Sequence, residues 1–273
     1  MTTPESSHLI EPEALEQRLG QPDILIVDLR NPDGYAAGHI PGAVNLAYAE
    51  LVRAEPPVMG LLPDTDRLSR VLSTLGLTPQ HQVIAYDDEG GGRAGRLLFT
   101  LNALGHRGLM LLNGGFRAWS AEQRPLSREI PAPQPSGYQA EYRNTDAVAD
   151  KDYIRSRLGQ DDFALLDART PAEYQGQDRR AARGGHIPGA VSMNWTDAID
   201  QRNHLRLLPD EVLKNRLGEL GITADKEVVV YCQTHHRSAH TYMMLKHLGF
   251  ERLRGYPGAW SDWGNDPDTP VEP

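Results

Sequence analysis

The sequence predicts an α/β protein built from two tandem copies of one unit, each a mostly parallel sheet flanked by helices. Three observations carry that expectation. Matching segments recur in the same order at a spacing of roughly half the chain, too long for a solenoid repeat. Short β-branched runs alternate with stretches of helical apolar spacing in both halves. A proline-rich stretch lies between the halves.

In the first half, Ile24 to Asp28 and Val83 to Tyr86 read as strands, and Asp64 to Leu75 and Arg93 to Leu104 as helices. Pro125, Pro131, Pro133, Pro135, Ser136 and Gly137 then favour an extended linker, so the expected division is a domain over 1–124, a linker over 125–144 and a second domain over 145–273. The second half repeats the pattern, with strands at Phe163 to Asp167 and Val228 to Tyr231 and helices at Pro209 to Leu220 and Arg237 to Leu248. Strands joined by helices call for a parallel sheet covered on both faces. The copies align through Val27-Asp28-Leu29-Arg30-Asn31-Pro32 with Leu166-Asp167-Ala168-Arg169-Thr170-Pro171, and through Gly38-His39-Ile40-Pro41-Gly42-Ala43-Val44 with Gly185-His186-Ile187-Pro188-Gly189-Ala190-Val191. Nearer the ends, Leu112-Asn113-Gly114 through Ala118-Trp119 reads as the counterpart of Leu253-Arg254-Gly255 through Ala259-Trp260.

The 273 residues, 39% hydrophobic and 24% charged, suffice for a real core in each half. A net charge of -9 argues against nucleic-acid binding by counterion release over the whole surface, though a local basic site stays open. Apolar runs such as Ile24 to Val27 and Leu109 to Leu112 are strand-sized, far short of the roughly 20 residues of a membrane-spanning helix. Met1-Thr2-Thr3-Pro4-Glu5 has no basic region leading into an apolar stretch, so no secretory signal is expected. With Cys232 the sole cysteine, no internal disulfide can form, which fits a reducing cytoplasm. Two halves able to pack on each other make a monomer the default.

Cys232 follows Val228-Val229-Val230-Tyr231 directly, at the carboxyl end of a strand, where open α/β sheets bind ligands. The residues after it are Gln233-Thr234-His235-His236-Arg237-Ser238. If the next helix begins near Arg237, the loop curls over its N-terminus and several backbone N–H groups converge beside the sulfur. That field, with Arg237, would attract an anion and populate the nucleophilic thiolate at neutral pH. Base rates favour a lone cysteine as a buried small hydrophobe, but the polar run after Cys232 does not continue a core. Cys232, His235, His236 and His240 also supply four metal-type ligands within nine residues; their spacing matches no familiar zinc pattern, and no metal site is expected.

Together these residues resemble the rhodanese family, specifically tandem-domain bacterial thiosulfate sulfurtransferases whose active loop reads Cys-Gln-Thr-His-His-Arg-Ser. The likeness covers nearly the whole chain. It implies two tandem rhodanese-like domains, and catalysis in which Cys232 takes the outer sulfur of thiosulfate, holds it as a persulfide and yields it to cyanide or another thiophilic acceptor, without metal or organic cofactor. Arg237 would close the loop and add positive charge. Gln233, Thr234, His235, His236 and Ser238 would line the anion pocket, and the histidines would make donor behaviour vary between pH roughly 6 and 7. Arg169 matches a family arginine that approaches the substrate from the side, while the position four later, often arginine, is Glu173. An internal pair of Arg169 with Asp167 or Glu173 is the other reading. Gln233 and Thr234 match neither the basic residues of thiosulfate enzymes nor the Gly-Ser-Gly of mercaptopyruvate enzymes. Two alternatives stay open: a persulfide carrier serving a protein partner, and a cysteine-dependent phosphatase or arsenate-handling enzyme. Related phosphatases have five residues between cysteine and arginine, whereas four separate Cys232 from Arg237.

In the first copy, Asp87 stands where the second has its cysteine, followed by Asp88 and Glu89, so this domain is expected to be catalytically silent. Gly90, Gly92 and Gly95 spell Gly-x-Gly-x-x-Gly, but the acidic residues before them are hostile to a pyrophosphate and no acidic residue follows at ribose distance. His39, His186, Asp28, Asp167, Arg30, Trp119 and Trp260 occur in both the silent and the active half and are read as fold determinants.

Overall fold

A computed structural model describes residues 8–273; the reading of the extreme N-terminus falls on residues 1–7, outside the described residues. In chain order the elements are β1 (Leu9–Ile10), α1 (Pro12–Glu16), β2 (Ile24–Asp28), α2 (Pro32–Ala37), β3 (Val44–Asn45), β4 (Arg53–Glu55), β5 (Val58–Leu61), α3 (Thr65–Thr74), β6 (Gln82–Tyr86), α4 (Gly92–Ala103), β7 (Leu109–Leu112) and α5 (Gly115–Ala121). There follow α6 (Lys151–Arg157), β8 (Phe163–Asp167), α7 (Pro171–Tyr174), β9 (Ala190–Ser192), β10 (Ile199–Asp200), β11 (Arg206–Leu207), α8 (Asp210–Glu219), β12 (Glu227–Tyr231), α9 (Arg237–His247), β13 (Leu253–Gly255) and α10 (Ala259–Trp263).

Two compact units result. Among the described residues, the first comprises 8–51, Pro63–Asn144 and Asp200–Leu207; the second comprises Val52–Leu62, Thr145–Ile199 and Leu208–Pro273. The first thus includes the stretch expected as linker. That stretch carries no helix or strand, yet it is bonded along unit 1: His39 and Ser127 exchange backbone hydrogen bonds of 2.9 and 2.8 Å, Ser136 N–H reaches the Ser73 carbonyl, and Asn144 N–H reaches that of Ala103. Each unit also takes a short segment from the other sequence half, β4 and β5 falling in the second.

Unit 1 has a parallel sheet in the order β1-β7-β6-β2-β3, and unit 2 one in the order β13-β12-β8-β9. Val228, Val229, Val230 and Tyr231 of β12 are fully buried because the strand is flanked on both edges and covered on both faces. The duplicated segments make duplicated bonds. Arg30 donates to Asp28 and to the Gly38 carbonyl, as Arg169 does to Asp167 and the Gly185 carbonyl. Tyr35 stacks on His39 at 4.0 Å, and Tyr174 on His186 at 3.7 Å. Tyr86 and Tyr231 each accept from the backbone N–H two residues into the Gly-His-Ile turn, at Ile40 and Ile187. These residues do the same structural work in both units.

One sequence match needs correction. Trp119 donates its indole N–H to the Pro125 carbonyl, and the side chain with the equivalent bond is Trp263, to Pro270, not Trp260. Trp260 answers Phe116: Arg30 lies 3.4 Å from the Phe116 ring and Arg169 4.5 Å from that of Trp260. The strand register agrees, since Leu109 and Leu253 pair with the equivalent residues Val83 and Val228. The shared Gly-x-x-x-Ala-Trp spacing is coincidental. The true match sets Gly114-Gly115-Phe116 on Gly258-Ala259-Trp260, and Ala259 takes the left-handed φ of 52° that Gly115 takes in unit 1.

Candidate active site

Cys232 is the first residue beyond β12, 1% exposed, and residues 233–236 form the turn into α9. Helix α9 opens at Arg237, so its first free N–H groups face back toward the sulfur. The backbone N–H groups of Thr234 and Ser238 and the Ser238 hydroxyl all bond to it. Burial raises the thiol pKa, but the Arg237 charge and these hydrogen bonds outweigh it and hold the thiol below the ordinary range. A buried thiol with no such partners would go the other way, so these surroundings favour the thiolate more than burial alone would allow.

The loop is held in that shape from outside. Trp260 N–H donates to the Cys232 carbonyl at 2.9 Å and Ser261 N–H to that of Gln233 at 3.0 Å, turning both oxygens away from the pocket. His235, completely buried, takes a left-handed φ of 53° and pairs Nδ1 with Ser238 Oγ at 2.8 Å. A non-glycine residue held in this region costs of order 1 kcal/mol or more, and such strain concentrates at sites that need it. The β4–β5 hairpin presses on the same loop: a Cβ on Gly60 would lie 2.6 Å from the Thr234 oxygen and 2.4 Å from that of Pro257. Met59 N–H donates to Ser261 Oγ at 3.0 Å.

Gln233 donates through Nε2 to the Arg180 carbonyl at 2.9 Å, while its Oε1 is buried without a hydrogen-bond partner. Thr234 and His236 are half-buried. His236 and His240 both meet Trp195, with ring centroids 6.2 and 5.5 Å away. Burial, then the neighbouring His236, lowers the His240 pKa to about 4 and keeps that ring neutral. The four residues weighed as metal ligands do not converge: among the described residues, no group of three or more His, Cys, Asp or Glu is arranged to hold a metal ion.

Arg237 is held by a carboxylate from another helix. Its terminal nitrogens bond to the two oxygens of Glu173 at 2.6 and 2.8 Å, a fork-to-fork pair. Although burial opposes it, Arg237 and the Thr170 bonds hold the Glu173 carboxyl at about 2. Arg169 has the partners of its second reading: 1% exposed, it grips Asp167 at 2.6 to 2.9 Å and covers Trp260, as Arg30 does Asp28 and Phe116. The structure therefore gathers Cys232, Gln233, Thr234, His235, His236, Arg237 and Ser238 around one loop, with Arg169 committed to the sheet end beside it. Glu173 and Gly60 emerge only in three dimensions. The one signal for Glu173 in the sequence was the arginine it replaces.

The equivalent loop of unit 1 wraps a carboxyl group of its own. The Asp87 carboxyl, 1% exposed, accepts from the N–H groups of Glu89, Gly91 and Ala94 at 3.1, 2.8 and 3.0 Å. The turn that faces a sulfur atom in unit 2 is thus filled by a side chain in unit 1.

The profile of the family described as "Rhodanese-like domain" matches residues 11–122 and 150–266. A protein named thiosulfate sulfurtransferase from Azotobacter vinelandii is 48% identical over 97% of this chain and 96% of its own length. One of the same name from Pseudomonas aeruginosa is 46% identical over the same shares. A protein named as a sulfur carrier protein from Thermus thermophilus is 29% identical over 96% of this chain and 95% of its own. Among solved structures, that of YnjE aligns with a TM-score of 0.87 at 22% identity, over 99% of this chain and 69% of that one, a likeness of fold.

Proposed function

The chain belongs to the rhodanese-like domain family, and from that premise we propose that it is a thiosulfate sulfurtransferase working through a persulfide on Cys232. The observation that carries the proposal is a single buried sulfur atom met by two backbone N–H groups, the Ser238 hydroxyl and the Arg237 charge. The two relatives at 48% and 46% identity, both named thiosulfate sulfurtransferase, support the donor.

In the first half-reaction the Cys232 thiolate attacks the outer sulfur of thiosulfate. A new sulfur–sulfur bond forms as the old one breaks, and the electron pair leaves with sulfite. In the second, the carbon of cyanide attacks the outer sulfur, the pair returns to Cys232 as thiolate, and thiocyanate departs. Electrons balance without an outside oxidant, and the carried group is one sulfur atom on the protein, so the cycle asks for no metal or organic cofactor. Arg237 draws in the donor anion, and the N–H groups of Thr234 and Ser238, fixed before the reaction begins, stabilise thiolate and persulfide alike. Gln233, His235 and His236 frame the loop. Arg169 acts at one remove, holding the end of β8.

We assign the protein to the cytoplasm, where Cys232 stays reduced, and expect a monomer. The likeness to a protein named as a sulfur carrier favours a second reading, in which a protein thiol collects the sulfur. Initial rates of thiocyanate formation at varied thiosulfate and cyanide test the first reading. Parallel double-reciprocal lines, lost in Cys232→Ala, are expected. A stoichiometric burst with negligible turnover on cyanide would favour the carrier, and no sulfur transfer at all would end both.

A further inference from the structure

Glu173 sits on the first turn of α7, 64 residues before Arg237 in the chain, and is 1% exposed. Besides both terminal nitrogens of Arg237, its carboxylate accepts from the N–H and hydroxyl of Thr170 at 3.2 and 3.0 Å, and Arg180 Nε stands 3.6 Å away. The Thr170–Glu173 capping box fixes the carboxylate to α7, so the guanidinium at the start of α9 is aimed by another helix. The other charged or titratable groups around the pair are Asp167 and Arg169 at the end of β8, bound to each other, with Cys232, His235 and His236 in the loop. Arg237 alone would present a full charge to the sulfur; gripped by Glu173 it presents an ion pair.

We propose that Glu173 is a positioning residue for sulfur transfer: by holding both terminal nitrogens of Arg237 it fixes where the guanidinium stands and softens the positive field met by Cys232 and by an anionic donor. A softer field binds the donor less tightly but lets sulfite leave. The inference rests on the sulfurtransferase reading for its consequence and on the ion pair for its geometry.

Glu173→Gln in the full chain tests it, since glutamine keeps the shape and one oxygen for the capping box while removing the charge and one of the two bonds to Arg237. Two readouts apply: the pH midpoint of Cys232 alkylation by iodoacetamide, and KM and kcat for thiosulfate with cyanide. The midpoint should move to lower pH, KM should fall roughly three- to tenfold, as one partly screened charge would produce, and kcat should fall with it. A midpoint unmoved or raised, with KM raised, would make Glu173 a prop and overturn the proposal. Should Glu173→Gln not fold, Arg237→Lys keeps the charge but cannot take both oxygens; about a tenfold loss in kcat/KM is expected, and wild-type turnover would overturn the positioning role. The alkylation readout uses no sulfur donor. A midpoint that shifts in a protein that makes no thiocyanate would leave this inference standing and remove the donor.

Discussion

Replacing Gly60 with alanine should disable Cys232 although the two are far apart in the chain. The added Cβ would lie 2.4 Å from the Pro257 oxygen and 2.6 Å from the Thr234 oxygen, against 3.4 Å for ordinary contact. Both obstacles are backbone, so the loop or the hairpin must retreat by about 1 Å. Thr234 then loses its N–H contact with the sulfur, a hydrogen bond to a charged group worth about 1.5–3 kcal/mol. That converts to roughly a ten- to hundredfold fall in kcat/KM, the range expected when one donor of a preorganised anion site is displaced. Thiocyanate formation gives the rate, and iodoacetamide alkylation against pH should show the thiol midpoint rising. Gly218→Ala is the control: it lies within α8 with nothing inside 4 Å of its Cβ, and should leave turnover unchanged while stabilising the helix by roughly 0.5–1 kcal/mol. Wild-type kcat/KM in Gly60→Ala would refute the claim that the hairpin sets the loop.

Asp87→Ala should leave sulfur transfer intact but cost unit 1 about 1–3 kcal/mol by stranding three N–H groups, measured by urea unfolding; lost turnover would contradict the silence of that loop. His240, ordinarily near 6.5 and held at about 4 by burial and then by His236, is neutral when folded, while the unfolded chain takes up a proton first. Stability should therefore be complete above about pH 6.5 and fall toward pH 4, by about 3 kcal/mol if undamped, and His240→Leu should flatten that limb. Glu173 has the carboxylate sign: its folded value of about 2 lies below the ordinary 4.5, so its contribution is present above 4.5 and lost as pH falls toward 2. Glu173→Gln should remove this acid limb while sparing that of His240, which pH-dependent unfolding midpoints would separate.

Much of this was legible in the chain because the signals were local. β2 and β8 run over the residues their apolar patterns predicted, and α9 begins at Arg237 as expected. The loop after Cys232 was equally plain, since a strand running into a polar turn and a helix leaves the backbone little choice. What stayed hidden depends on residues far apart in sequence. No local pattern ties Gly60 to Thr234 or Glu173 to Arg237; only the fold brings their backbones and side chains together. Trp119 and Trp260 were matched on a shared spacing that the register of β7 and β13 overrides. The prolines of 125–144 did exclude helix and strand, but extended chain can still be tied down, and Ser136, Ala140 and Asn144 tie it. The sequence left two partners open for Arg169; Asp167, two residues back, is the closer and takes it.

The most direct test of the central claim is the intact mass of the protein after thiosulfate and again after cyanide, beside Cys232→Ala. A gain of one sulfur atom, removed by cyanide and absent from the variant, is the predicted result. No gain in the wild-type protein, or the same gain in Cys232→Ala, would contradict a persulfide held at Cys232.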